Sequence, residues 1–520
     1  MSEIKFPIGI QQFEKLRREG YVYIDKTRYI HQLINTGCYY FLSRPRRFGK
    51  SLLMSTIEAF FQGKKELFKG LAIETLAQEW KEYPILHLDL NTKKYDTPEA
   101  LNNVLDETLK KWENLYGKDN SEIGYERRFG GVIRRAAEKT GRNVVILIDE
   151  YDKPLLQAYG NDELLNDYSS TLKAFYGNLK SNDGYIKFAL LTGVTKFGKV
   201  SVFSDLNNLN DISMDYEYSG VCGITKSELH DYFDEAIKSL AEAQDMNVED
   251  TYTKLKVEYD GYHFHEKSEG IYNPFSILNT LFKKEFRDYW FETGTPTLLV
   301  NMLRDCDYDL EKLTTEDATT SVLDSIFDTA NPIPMIFQSG YLTIKDYNRR
   351  FGTYTLCYPN REVKEGFIRF LLPYYTKKNR TEAFDLRNFV RDLESGKAES
   401  FMMRMQSLFA DTPYLLIQGG DRERHYHNVI YLLTRLMGFY VKAEYQTSAG
   451  RIDMVIETDD YVYVMEFKLD GTAEEALLQI EERGYAQPFM SSGKKLFKIG
   501  VNFSSETKSI DRWIIEEQVI

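Results

Sequence analysis

Residues Tyr39 to Leu53 read YYFLSRPRRFGKSLL. A phosphate-binding loop needs a strand feeding it, a tight turn, a Gly-Lys-Ser/Thr ending and a helix leaving it. The amides of the turn and of the helix N-terminus then cradle phosphate oxygens. Tyr39-Tyr40-Phe41-Leu42 supplies the apolar strand and Gly49-Lys50-Ser51 the ending. Leu52, Leu53, Ile57, Ala59 and Phe60 recur behind it at helical spacing. Lys50 is expected to reach the β/γ-phosphates and the Ser51 hydroxyl to ligate Mg²⁺. One position departs from the general motif: Arg44 stands where a glycine usually opens it. Pro45, Arg46 and Arg47 then fill a turn normally rich in small residues.

A partner motif follows about a hundred residues on. Val144-Val145-Ile146-Leu147-Ile148 is a continuous, β-branched-rich run, the pattern of a strand covered on both faces of a parallel sheet. It ends in Asp149-Glu150. Asp149 is expected in the Mg²⁺ shell, and Glu150 is expected to orient or deprotonate the attacking water. Strand, loop and helix, followed in order by strand and paired acids, point to nucleotide binding.

The rest of the composition sets bounds. At 520 residues the chain exceeds one core, and roughly three domains are expected. Aromatics are plentiful, with 37 Tyr and 32 Phe, so the cores should be built on rings. Cys38, Cys222, Cys306 and Cys357 show no paired spacing, which fits a reducing compartment and argues against a zinc site. The start, MSEIKFPIGI, lacks a signal-peptide pattern. No apolar run approaches the ~18 residues that cross a bilayer. A cytoplasmic protein with no membrane partner is therefore expected. The net charge of −13 argues mildly against a chain devoted to wrapping nucleic acid.

Strand candidates at 38–42, 84–90, 144–148 and 186–192 alternate with helical stretches, so residues 1–220 predict an α/β domain with a parallel sheet. Residues 221–360 read as mostly helical, closing with a helix and a hairpin (340–344 and 354–358) in a winged-helix-like order. Residues 361–415 are amphipathic and read as a helical linker. The last segment, 416–520, reads as helix, three strands, helix, strand.

That last segment carries a second constellation. Gly450–Ile456 and Tyr461–Lys468 read as antiparallel strands around Thr458-Asp459-Asp460. Across such a ladder Asp453 approaches Glu466, and Lys468, two residues on, shares the face of Glu466. Two acids and a lysine so placed can hold a divalent metal and activate water against a phosphodiester, with the lysine stabilising developing charge. Gln479 and Tyr485 on the next helix and Glu423 on the preceding one are further candidates. The region holds 12 Lys+Arg against 17 Asp+Glu, a net of −5, where a duplex-gripping surface is usually basic.

These motifs carry two resemblances. YVYIDKT (21–27), FLSRPRRFGKSLL (41–53), ILIDEYDKPL (146–155) and LLTGVTKF (190–197) resemble the AAA-ATPase-like domain of bacterial proteins, where an arginine-rich loop is the norm. YDGYHF (259–264) and YNPFSILNTL (272–281) look like its extension. Residues 416–505 resemble the PD-(D/E)XK nuclease superfamily through Glu444, Gly450-Arg451-Ile452-Asp453, Glu466-Phe467-Lys468 and Gln479. The resemblance implies a P-loop NTPase fold followed by a restriction-endonuclease-like α/β domain. It implies ATP at Arg46, Arg47, Phe48, Gly49, Lys50, Ser51 and Leu52, with Asp149 and with Thr192 or Thr195 as the polar group beside the γ-phosphate. Mg²⁺ is implied at Ser51 and Asp149, and Mg²⁺ or Mn²⁺ at Asp453 and Glu466. Glu150, Asp453, Glu466 and Lys468 are the implied catalytic groups, and DNA or RNA the implied partner. Oligomeric state stays open.

Other features take simpler readings. Arg46 and Arg47 either stabilise γ-phosphate charge in cis or pair with nearby acids. Asp25 is expected to cap a helix starting at Lys26 or Thr27, with an adenine-side role as the alternative. His263, His265 and Glu266, and likewise His425 and His427, have metal-like spacing but no further ligands in sequence, so packing or hydrogen-bonding roles are expected. Tyr272, Phe275, Tyr289 and Trp290 read as core. A competing function is a nucleotide-dependent switch or scaffold whose C-terminal domain binds without cutting; the −5 charge favours it, and the intact Asp/Glu-x-Lys set favours cutting.

Overall fold

The computed structural model describes residues 4–196, 208–293, 297–306, 308–325, 331–375, 386–410, 422–438, 442–445, 453–507 and 509–518. The chain divides into two compact units, Met1–Leu299 with Thr314–Lys364, and Val300–Leu313 with Glu365–Ile520.

The first unit is built on a parallel sheet in the order β2-β3-β4-β1-β5. Its strands are β1 Tyr39–Ser43, β2 Ile85–Asp89, β3 Val144–Asp149, β4 Ile186–Gly193 and β5 Asn210–Asp211. All six residues of β3 are buried, as its unbroken apolar run requires of a central strand. Leu101, Leu105, Phe129, Ile133, Tyr168 and Phe175, from the surrounding helices, pack against Ile146, Ile148 and Leu191 in one core. The carboxyl ends of β1 and β3 carry the phosphate loop and Asp149-Glu150. That is the edge at which open α/β sheets bind ligands.

The YVYIDKT segment has a structural role. Asp25 accepts from the Thr27 amide at 2.9 Å and the Thr27 hydroxyl at 2.6 Å, and also from the Ala72 amide at 2.7 Å, joining the starts of helices Thr27–Thr36 and Ala72–Leu76. Asp25 thus serves the first helical amide, as a cap would, from one residue before the N-cap position, which Lys26 holds. Lys26 is buried and ion-paired to Glu228 at 2.7 Å. Glu228 also closes the Thr225 capping box of helix Lys226–Ala243.

The middle region packs helices Lys226–Ala243, Val248–Tyr259 and Pro274–Lys283 around Phe233, Ile237, Leu255 and Ile277. Helix Ile333–Gln338 then leads into β7 Thr343–Asn348 and β8 Thr353–Cys357, which pair antiparallel and are joined by β6 Asp317–Thr319. This is the expected helix-then-hairpin order. One buried acid stands out here. Glu362 accepts from the Trp290 amide at 2.6 Å and the Ser276 hydroxyl at 2.7 Å. Burial pushes its pKa up to about 8.

The second unit has a five-stranded sheet in the order β13-β12-β11-β10-β9. Its strands are β9 Lys442–Tyr445, β10 Met454–Glu457, β11 Tyr461–Leu469, β12 Lys495–Ser504 and β13 Ser509–Gln518. β11 and β12 run parallel, and the helix Ala473–Glu482 between them packs on both. β13 exceeds the strand count expected from sequence. The segment expected as a linker is helical at Leu386–Glu394 and Ala398–Ala410, but the second of these helices packs on β13, so it is part of this unit and not a spacer. Gly450, Arg451 and Ile452 and the side chains of Glu423 and Glu444 lie outside the described residues. Among the described residues no helix is long and apolar enough to cross a membrane.

The raised pKa of Glu362 has a definite consequence for stability. Folding favours its protonated form, so that contribution is complete below the ordinary carboxylate range and is lost as pH rises toward about 8. In chemical denaturation at stepped pH, wild type is expected to lose stability relative to Glu362→Gln between about pH 5 and 8. A pH-independent difference between the two would contradict this.

Candidate functional sites

In the first unit, Gly49 adopts φ +97° at the turn into helix Lys50–Phe61, a conformation side-chain-bearing residues rarely adopt. Lys50 is buried; its ammonium donates to the carbonyls of Arg44 (3.0 Å) and Pro45 (3.3 Å) and lies 3.6 Å from Glu150 Oε1. Asp149 accepts from the Thr192 hydroxyl and, at 3.0 Å, from the Glu150 amide. Thr195 instead bonds Asp152 at 2.7 Å, so of the two candidate threonines it is Thr192 that meets Asp149. Glu150 sits at φ +54° and Arg47 at φ +68°. Such non-glycine outliers persist only where their surroundings hold them, and they cluster at functional sites.

Arg46, Arg47, Gly49, Lys50, Ser51 and Leu52 join Glu150 and Lys153 around a cavity of ≈ 760 Å³. That falls within the roughly 300–1,000 Å³ of small-molecule sites. Phe48 does not line it: its side chain is buried and packs edge-on against Tyr262 and Phe264. Arg46 and Arg47 have no ion pair among the described residues, and the Arg47 guanidinium lies 4.9 Å over the Phe275 ring. The salt-bridged alternative for these arginines is therefore not the arrangement observed.

Arg44 behaves differently from its neighbours. It is buried, donating to the carbonyls of Ser43 (2.9 Å), Ser213 (2.7 Å) and Tyr218 (3.0 Å), with its guanidinium 3.9 Å over Phe264. Burial pulls its pKa down to about 10, which still leaves it charged at neutral pH. The glycine slot is thus filled by a side chain that fastens the loop to residues 213–264. Asp152 was not anticipated from sequence. It accepts from the Val194 and Thr195 amides and the Thr195 hydroxyl, tying the Asp149-Glu150 turn to the end of β4. Burial, reinforced by Glu150, raises its pKa to about 6.

In the second unit, Met454 faces Met465 across the β10–β11 ladder, which sets Asp453 opposite Glu466. Asp453 accepts from the Phe467 amide at 2.9 Å. Glu466 is buried, 3.8 Å from the Lys468 ammonium, and its Oε2 has no hydrogen-bond partner among the described residues. Burial, then the nearby Asp453, raises its pKa to about 7. Gln479 donates to Glu466 and accepts from Lys468 at 2.5 Å, so it bridges acid and base. Tyr485 lies beyond the end of helix Ala473–Glu482 and packs with Val462, Val464 and Ile480, a core position and not a site one.

His263 Nδ1 meets the Ser268 carbonyl at 2.9 Å and His265 lies 3.3 Å from Glu266, local contacts of the kind expected. No group of three or more His, Cys, Asp or Glu among the described residues is placed to hold a metal. Trp290, expected as plain core, also lines the cavity and donates its indole N–H to the Arg46 carbonyl at 2.9 Å.

A strand–loop–helix phosphate site on a parallel sheet and a paired-acid site on a second α/β sheet define a P-loop protein with a nuclease-fold domain. Comparison with known proteins agrees: a family model described as "Predicted AAA-ATPase" matches residues 7–203, and one described as "PD-(D/E)XK nuclease superfamily" matches residues 421–513. An "Uncharacterized protein in vnfD 5'region" of Azotobacter chroococcum mcd 1 is 35% identical over 528 residues, covering 99% of each chain. The chain belongs to this family of predicted AAA-ATPases carrying a C-terminal PD-(D/E)XK nuclease-superfamily domain.

Restoring the general motif should damage the loop. Arg44→Gly removes the guanidinium that donates to the carbonyls of Ser43, Ser213 and Tyr218, of which Tyr218 keeps the Val221 amide as a donor. A buried unsatisfied polar group costs roughly 1–3 kcal/mol, so we expect a loss of at least ~2 kcal/mol in a urea melt. Wild-type stability in Arg44→Gly would show that the buried guanidinium does not hold the fold.

Proposed function

We propose that the protein binds and hydrolyses ATP at the loop site and that its C-terminal domain is a metal-dependent nuclease acting on DNA or RNA, within the cytoplasm. What carries the reading is the convergence on one cavity of Arg46, Arg47, Lys50, Ser51 and Glu150, with Asp149 at the end of the adjoining strand. Lys50, close to Glu150 and to the loop carbonyls, is placed to meet the β/γ-phosphates. Glu150 orients the attacking water and accepts its proton; Arg46 and Arg47 offset charge developing on the γ-phosphate. Thr192 fixes the rotamer of Asp149. The Ser51 hydroxyl and Asp149 would hold Mg²⁺, which when bound neutralises phosphate charge.

At the second site the donor set suits a hard divalent cation, Mg²⁺ or Mn²⁺, held by Asp453 and Glu466. The buried Glu466 Oε2, without a partner among the described residues, is the observation that fits it. When bound, such an ion activates water and polarises the phosphodiester. Lys468, fixed by Gln479, then supplies a positive charge beside the reacting group. The net −5 of residues 416–520 favours the other reading, a nucleotide-dependent switch whose C-terminal domain binds without cutting.

Two assays separate these. Glu150→Gln is expected to retain ATP binding and lose turnover about 10²-fold or more, the usual worth of a general base; unchanged turnover would remove the ATPase assignment. Wild type with Mg²⁺ or Mn²⁺ should cleave DNA or RNA, and Asp453→Ala should not. Absence of cleavage under every nucleotide condition would leave the switch.

A further inference from the structure

The phosphate loop is gripped, one residue after another, by the middle region. Arg44 stacks on Phe264, and Pro45 lies against Gly340, where an added Cβ would come 2.5 Å from Pro45 Cγ. The Arg46 carbonyl accepts the Trp290 indole N–H, Arg47 lies over Phe275, and Phe48 sits against Tyr262 and Phe264. The Gly223 amide also donates to the Phe48 carbonyl at 3.1 Å, so two hydrogen bonds from this region reach the main chain of the turn, and the one from Trp290 is the one on the Arg46–Arg47 peptide.

We propose that Trp290 is a positioning residue for the phosphate site, fixing the Arg46–Arg47 peptide by holding its carbonyl. The proposal rests on the reading of this loop as the ATP site. The chain has no cis peptide bonds among the described residues, and in a planar trans peptide C=O and N–H point to opposite sides. Holding the Arg46 carbonyl therefore turns the Arg47 N–H away from Trp290. That amide has no protein acceptor among the described residues and is available to a phosphate oxygen. The same peptide plane sets the left-handed backbone of Arg47, which needs an external restraint to persist.

Trp290 is in turn held from its far side. Glu362 accepts the Trp290 amide at the first turn of helix Tyr289–Thr293 and binds the Ser276 hydroxyl, and the indole packs 5.2 Å from the Tyr341 ring. Ser276 belongs to the helix that starts at Pro274 and carries Phe275, the ring beneath Arg47. The acid thus fixes the partners of both Arg46 and Arg47. The sequence shows no sign of this, because residues 46, 276, 290 and 362 are linked only through the fold.

Trp290→Phe keeps the ring and removes the N–H. An amide–phosphate contact is made in ground state and transition state alike, so its loss should raise KM and leave kcat largely unchanged. We expect KM and Kd for ATP to rise about tenfold, with kcat within about threefold, the balance of a uniform-binding loss. ATP should also change the tryptophan emission of wild type, and Trp290→Phe should lose that change. Wild-type KM and Kd in a folded Trp290→Phe protein would overturn the proposal. If that variant does not fold, Glu362→Ala should raise KM and the conservative Glu362→Gln should restore it; equal KM in the two would also overturn it. Lys50→Ala run alongside separates the two readings. ATP binding lost in Lys50→Ala and unchanged in Trp290→Phe would defeat the positioning role alone, whereas no ATP binding by wild type would defeat the site itself.

Discussion

The guanidinium of Arg44 carries a positive charge into the interior of the first unit, and the geometry of the phosphate site depends on the way that charge is satisfied. Burying an unpaired cation is costly. Here the compensation comes from main-chain carbonyls and the face of Phe264 rather than from a carboxylate at contact distance. Those carbonyls lie at residues 43, 213 and 218, so the side chain joins the end of β1 to the segment that leaves the sheet after β5. A glycine opening would leave the loop free to move against that segment. The arginine gives up that freedom and fixes where the turn begins.

The same logic appears at the acids. Asp149 is held by Thr192, Asp152 by the end of β4, and Asp453 by a main-chain amide of the neighbouring strand. Each of these three carboxylates is oriented by a hydrogen-bond donor, which is how a site is preorganised before a ligand arrives. Glu466 differs. One of its oxygens is bridged to Lys468 through Gln479 while the other is buried and has no partner among the described residues. That open acceptor is the one the proposed cation would take up.

Local pattern made much of this legible. The apolar runs gave the strands of the first sheet, Gly49-Lys50-Ser51 gave the loop and its helix, and the spacing of Asp453, Glu466 and Lys468 gave their common face once antiparallel pairing was assumed. What stayed hidden was long-range. Asp152 lies in the same ILIDEYDKPL run as Asp149, yet its partners are 42 and 43 residues away, and nothing local distinguishes it from a solvated acid. Gln479 reads as one polar residue on an amphipathic helix until the parallel crossover brings it over β11. The aromatic residues near 290 read as core in the sequence because burial is the default for large rings. Trp290 is buried, and its one polar atom is nevertheless the part that reaches the loop.

The net −5 of the C-terminal region does not weigh evenly on both readings of that domain. Charge summed over a domain governs diffusional encounter and weak non-specific association with a polyanion. It says little about the few ångströms around a paired-acid site, where a bound divalent cation is the largest local charge and sets the sign of the field. Asp453 and Glu466 are both partly withdrawn from solvent, and burial raises the pKa of each, so their charge is expensive until a cation shares it. The acidity that discourages a nucleic acid at long range is thus partly the acidity that a metal site requires at short range.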